Sequence, residues 1–150
     1  MASVAREQSG HPWVLVVDDD PIAARATARA VSSVTGARVA LVADVDSALR
    51  LAMRASESPA AVILDFELSD GSTGLSVLMS LRASGCEAPC AFHTGAPERA
   101  IRALGATRVG DSYPVFEKGG VGGALVSWVA RQVGAEAGSH RSGVRRKVEV

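Results

Sequence analysis

Aromatic residues are scarce, at 4%, and the 150-residue sequence holds only two cysteines, Cys86 and Cys90. Two thiols this close together cannot frame a disulfide-stapled fold, and no His/Cys set has the spacing of a zinc site. They read instead as small apolar fillers in a reducing compartment. Net charge is lacking too: 16 basic side chains balance 16 acidic ones, which removes the electrostatic footprint of a dedicated nucleic-acid binder. No run approaches the roughly 18 apolar residues of a membrane helix, and the opening MASVAREQSGHPW lacks the apolar middle of a secretion signal. These absences predict a cytoplasmic chain without a membrane span.

What is present is 47% apolar residues, enough for one core in one domain. The expected division is an N-terminal extension over 1–12, a domain over 13–134, and a flexible basic tail over 135–150. That tail carries Arg141, Arg145, Arg146 and Lys147 without hydrophobic periodicity, and reads as a solvated extension.

Within the domain, short apolar β-branched runs alternate with segments whose apolar residues recur every three or four positions, which predicts strands alternating with helices around a parallel sheet. Trp13 to Val17 has no polar alternation, as expected of a strand covered on both faces. Pro21 opens the first helix, whose expected buried stripe is Ile22, Ala26, Ala30, Val31 and Val34, closed by Gly36. Arg38 to Ala43 is the second strand, and Asp44 caps a helix with an expected stripe of Val45, Ala48, Leu49, Ala52 and Met53. Ala60 to Leu64 runs into Asp65 as the third strand. A helix through Leu75, Leu78, Met79 and Leu81 follows, then a fourth strand from Pro89 to His93. Pro97 begins a helix expected to turn Ile101 and Leu104 inward. Tyr113 to Glu117 is the fifth strand, before a last helix presenting Val121, Leu125, Trp128 and Val129 to the core.

Strands of an open parallel sheet bring their carboxyl ends to one edge, where ligands bind. Here strand one delivers Asp18 and Asp19, strand three Asp65, strand four Thr94 and strand five Lys118. Three carboxylates within ~5 Å repel by about 3 kcal/mol per pair at an effective dielectric near 20, so a cation is required. Oxygen ligands suit Mg²⁺, the usual ion where phosphate is the other ligand, and Lys118 supplies a second positive group. A carboxylate so placed can attack a phosphoryl group, with the Thr94 hydroxyl donating to one of its oxygens and Gly95 leaving the approach open. Asp20, directly before Pro21, reads as a helix cap.

The segments VLVVDDDP, VILDFELSDG, FHTGA and VFEKG, in this order, resemble the four motifs of bacterial two-component response-regulator receiver domains, of the single-domain, chemotaxis-regulator-like kind. The resemblance covers residues 13 to about 134, with spacings of 46, 29 and 24 residues from Asp19 through Asp65 and Thr94 to Lys118. It implies a doubly wound, five-stranded α/β sheet of order 2-1-3-4-5, a flavodoxin-like three-layer sandwich of which a chemotaxis regulator of the same family is a well-known example. It also implies that Asp65 accepts the phosphoryl group, that Asp18 and Asp19 are the acidic pair, and that Mg²⁺ is held by this pair, Asp65 and the backbone carbonyl of Glu67. Thr94 becomes the hydroxyl switch and Lys118 the partner of the aspartyl phosphate. The implied donor is a sensor histidine kinase or phosphotransfer protein. Output runs to a protein target through the fourth helix, fifth strand and fifth helix, without a DNA-binding module and with pairing of two chains left open. Such a domain signals and is not an enzyme beyond gaining and losing its own phosphoryl group.

Three positions depart from the family pattern. Gly119 stands where a proline usually follows the lysine, Val115 occupies the aromatic switch position, and Ser69 replaces a proline four residues after the acceptor, which predicts a looser loop. Val115 and Gly119 support an alternative, a phosphate-independent receiver that serves as a binding module. An apolar strand ending in Asp18-x-Asp20, with a later Thr and Lys, also resembles haloacid-dehalogenase-like phosphatases, in which Asp18 would be the nucleophile.

Overall fold

The computed structural model describes residues 11–106, 113–119 and 123–134. The expected extension, apart from His11 and Pro12, and the expected tail lie outside them, as does Val121. The strands are β1 (Trp13–Val17), β2 (Arg38–Val42), β3 (Ala61–Asp65), β4 (Cys90–Thr94) and β5 (Val115–Glu117). They alternate with α1 (Pro21–Thr35), α2 (Val45–Arg54), α3 (Gly74–Ala83) and α4 (Pro97–Ala106), and α5 spans 124–134. All pairings are parallel, in the order β2-β1-β3-β4-β5. This is the doubly wound, flavodoxin-like sheet.

Alternation along the buried strands sends side chains to two separate cores. Leu15, Val17, Val62, Leu64 and Phe92 pack against Ala48 of α2, Leu78 and Leu81 of α3, and Leu104 of α4. Val14, Val16, Ile63 and Ala91 pack against Val31 of α1 and against Trp128 and Val129 of α5. Three helices therefore cover one face and two the other. Cys90 fills the first core as a free thiol, and Trp13 is a packing residue whose Nε1 donates to the Glu57 carbonyl at 2.9 Å.

Local chemistry sets the helix ends. Asp20 caps α1, its side chain accepting from the amides of Ile22 and Ala23, and Gly36 closes it at φ 69° in the left-handed region that glycine enters without penalty. Asp44 accepts from the Ser47 amide at 2.7 Å to cap α2. Thr73 and Ser76 exchange a capping box at the start of α3.

The expected stripe of α1 needs correction. Its buried residues are Ala24, Thr27 and Val31, whereas Ile22 is 77% and Val34 65% exposed, and Ala26 and Ala30 are exposed as well. In so alanine-rich a helix two stripes about one residue apart have the same period, and the small face permits the closer approach to the sheet. On α2 the expected Val45, Ala48, Leu49 and Ala52 do face the first core and only Met53 is exposed, while on α4 Leu104 is buried as expected but Ala100 takes the inward place of the exposed Ile101. The α5 stripe of Leu125, Trp128 and Val129 is buried as expected.

Candidate functional site

Because β1, β3, β4 and β5 are adjacent in the sheet, the residues at their carboxyl ends come together although up to a hundred positions separate them in sequence. Asp18 directly follows β1, Asp65 and Thr94 end β3 and β4, and Lys118 follows β5. The parallel ladder sets this register: the Lys118 amide donates to the Thr94 carbonyl at 2.8 Å, and the Asp18 amide to the Val42 carbonyl at 3.0 Å.

Carboxylate oxygens of Asp18, Asp19 and Asp65 all lie within 4.8 Å of one another. Asp18 and Asp65 are buried, and Asp19 is half-buried. The Lys118 ammonium bridges the two buried acids, with Nζ 2.9 Å from Asp18 Oδ2 and 3.2 Å from Asp65 Oδ2. Asp18 Oδ1 accepts from the Asp20 amide at 2.9 Å, and Asp65 Oδ1 makes a longer 3.4 Å contact with the Glu67 amide. Burial and the neighbouring Asp18 push the Asp65 carboxyl up to about 6, against the opposing pull of Lys118. Burial also works against the Lys118 charge, but the hydrogen bond and charge of Asp18, then Asp65, outweigh it and raise its pKa. Asp19 is held below the usual carboxylate range, chiefly by hydrogen bonding to Ser69.

One ammonium cannot neutralise three carboxylates, so the cluster has capacity for a further cation. Its donors are hard oxygens. Ligands around Mg²⁺, at about 2.1 Å in an octahedron, stand roughly 3–4 Å apart, so the acids need only a small contraction to enclose the ion. The residues present therefore fit Mg²⁺. The Glu67 carboxylate stands apart from the cluster, paired with Arg99 Nη1 at 2.5 Å, which leaves its main chain as the part available to the site.

Thr94 is buried, and its hydroxyl oxygen accepts from the Ala96 amide at 3.1 Å, so its own proton stays free for donation. His93, on the opposite side of the strand from Thr94, has its pKa lowered by burial and then by Lys118. Asp20 is turned away into its helix cap. The phosphatase reading, which pairs it with Asp18, thus loses its second acid.

The three departures resolve differently. Gly119 adopts φ 74°, and no peptide among the described residues is cis; a left-handed glycine makes the turn there. Val115 packs with the Phe92 and Tyr113 side of the sheet, while Phe116 faces Trp128 on the other, so Phe116 does not replace the missing aromatic. The loop at Ser69 is tied down rather than loose: the Ser69 amide donates to Asp19 Oδ2 at 2.6 Å. Sequence reasoning missed this contact and the Arg99–Glu67 pair. Ser69 stands out in sequence only as a departure, and nothing around Arg99 marks it.

The open doubly wound α/β sheet thus gathers an acidic, lysine-bridged cluster at its strand ends. The model of the response regulator receiver domain family matches residues 14–110, and the chain belongs to that family. Receiver domains are signalling domains of two-component systems rather than conventional enzymes. A response regulator receiver protein from Burkholderia phymatum is 27% identical, with a TM-score of 0.65 over 82% of this chain and 95% of that one. The receiver domain of a sensor histidine kinase from Pseudomonas aeruginosa PAO1, with a magnesium ion coordinated in its active-site cleft, is 24% identical, with a TM-score of 0.66 over 83% of this chain and 99% of its own. The Thermotoga maritima response regulator TrrA, in complex with Mg²⁺-BeF, is 21% identical, with a TM-score of 0.64 over 81% and 98% of the two chains. No curated protein matches the chain. No helix among the described residues is long and apolar enough to cross a membrane.

Proposed function

We propose that this domain, residues 13–134, accepts a phosphoryl group on Asp65 from a sensor histidine kinase or phosphotransfer protein and signals through protein contact. The observation that carries the reading is the Lys118 ammonium bridging Asp18 and Asp65 inside a three-carboxylate cluster. Mg²⁺ would be held by Asp18, Asp19, Asp65 and the Glu67 carbonyl, and when bound it neutralises charge on the phosphoryl oxygens.

The chain's own residues do the rest. An Asp65 carboxylate oxygen attacks phosphorus, a P–O bond forms, and the bond from phosphorus to the donor's imidazole nitrogen breaks, its electron pair staying on the imidazole. Lys118 holds positive charge beside the oxygens during this in-line transfer, and the Thr94 hydroxyl donates to one of them. The exposed apolar stripe of Ile22, Ala26, Ala30 and Val34, at i, i+4 spacing from just past the acidic loop, supports docking of the donor protein on α1.

Incubation with Mg²⁺ and acetyl phosphate, read by intact mass, is expected to add one phosphoryl group to the chain and none when a chelator is present. A chain that stays unmodified with Mg²⁺ contradicts the proposal and supports the binding-module alternative.

Lys118→Ala separates the two cations. Loss of the ammonium is expected to slow labelling by about a hundredfold or more, while Mg²⁺ binds as well as before or more tightly, because the ammonium competes with the ion for Asp18 and Asp65. Titration calorimetry beside labelling kinetics checks this. A parallel loss of metal affinity would show that Lys118 instead builds the metal site.

A further inference from the structure

An unassigned contact reaches into the acidic cluster from a loop 50 residues away: the Ser69 main-chain N–H donates to Asp19 Oδ2 at 2.6 Å. Asp19 is the least buried member of the acidic cluster. It directly follows Asp18 in the short connection between β1 and α1, so packing constrains its side chain less than that of Asp65 at the end of a buried strand. Something else must fix its rotamer if its carboxylate is to meet a metal, since an unrestrained side chain loses rotamer freedom on binding.

The loop that supplies this donor is itself anchored. The Leu68 amide donates to the Ser72 carbonyl at 3.1 Å, and the Gly71 amide returns to the Leu68 carbonyl at 3.2 Å. Asp70 accepts from the Ser72 amide at 2.9 Å, and Leu68 is buried in the core. Ser69 is therefore presented from a closed turn with its neighbour pinned. A proline, the residue that usually occupies this place in the family, has no N–H and cannot make the contact.

We propose that Ser69 is a positioning residue for the metal site: its main-chain N–H orients Asp19 toward Mg²⁺ while leaving the other carboxylate oxygen free to ligate. The inference rests on the proposed Mg²⁺ site. Hydrogen-bond partners of metal ligands typically contribute ten- to a hundredfold in affinity, and one N–H on one of several ligands belongs at the lower end.

The test uses Mg²⁺ alone, titrated into the full chain and followed by calorimetry. Ser69→Pro removes the N–H and is expected to weaken Mg²⁺ binding about tenfold. Ser69→Ala keeps the N–H but removes the hydroxyl that also reaches Asp19, and is expected to weaken binding less than Ser69→Pro, by about threefold; a loss in Ser69→Ala equal to that in Ser69→Pro would show that the hydroxyl, not the N–H, positions Asp19. Equal affinity in Ser69→Pro and the native chain overturns the inference while leaving the metal site intact. Absence of Mg²⁺ binding in the native chain overturns the site itself, and the inference with it. Hydrogen exchange at the Ser69 amide gives a readout that does not depend on the proline variant folding. Its exchange is expected to be slowed about tenfold or more relative to Asp19→Ala, and an amide equally unprotected in both chains refutes the contact.

Discussion

Asp65→Asn is expected to take up no phosphoryl group from acetyl phosphate and Mg²⁺, a loss on the order of a thousandfold or more, because the amide offers no anionic oxygen for attack on phosphorus. The same substitution is expected to stabilise the metal-free fold at neutral pH. Burial and Asp18 push the Asp65 carboxyl from 3.8 to about 6, with Lys118 only partly opposing them. The native state thus binds this proton more tightly than the unfolded chain, and stability falls as pH rises from about 4 through about 6. Allowing for residual solvent screening, the loss is on the order of 1–2 kcal/mol. Asparagine removes it. Without metal, the variant is expected to melt a few degrees, roughly 3–6 °C, above the native chain at pH 7.5, with the gap narrowing at pH 5. Thermal melts at both pH values in chelator check this, and a native chain that is the more stable at pH 7.5 contradicts the account of Asp65. Saturating Mg²⁺ is expected to raise the native melting point more than the variant's, since a ligand that binds only the folded state stabilises it.

The second large effect is structural. Gly74 opens α3, and a Cβ there would stand 2.4 Å from the Asp65 carbonyl oxygen, 3.1 Å from its carbon and 3.2 Å from Phe66 Cα. All three are main-chain atoms, so no side chain can rotate out of the way. The Gly74 amide also donates to the Phe66 carbonyl at 2.8 Å, pressing the helix start against the peptide that carries the acceptor. Two effects oppose each other in Gly74→Ala. Helix propensity favours alanine by about 1 kcal/mol, and overpacking against an immobile backbone costs about 3 kcal/mol or more. Overpacking wins, and the variant is expected to lose about 2–3 kcal/mol in denaturant melts. Labelling at Asp65 is expected to slow as well, because relief of the clash displaces the Asp65 main chain. A variant as stable as the native chain would show that α3 does not sit this close.

The strands are legible in the sequence from their apolar runs, whereas their order comes only with the family resemblance. β1, β3 and β4 are nearly pure apolar runs, so Asp18, Asp65 and Thr94 stand out at their ends, whereas Lys118 follows a half-exposed edge strand that already ends in Glu117. Helix faces are less legible. In α1 the residues Ala23 to Ala30 include five alanines, which give periodicity little contrast, and the largest apolar residues, Ile22 and Val34, face away from the sheet. The Gly74 contact has no signature in sequence, because the requirement comes from backbone that folds back onto the helix start. The Ser69 contact is hidden for the opposite reason: a missing proline suggests freedom in the chain, whereas the N–H it restores is what binds the loop to Asp19.

Locating the modified residue tests the central claim most directly. After incubation with Mg²⁺ and acetyl phosphate, borohydride reduction of the acyl phosphate and peptide mapping are expected to mark Asp65 alone, with no mark when Mg²⁺ is chelated. A mark on Asp18, or equal marking with and without the metal, would contradict a magnesium-dependent acceptor at the end of β3.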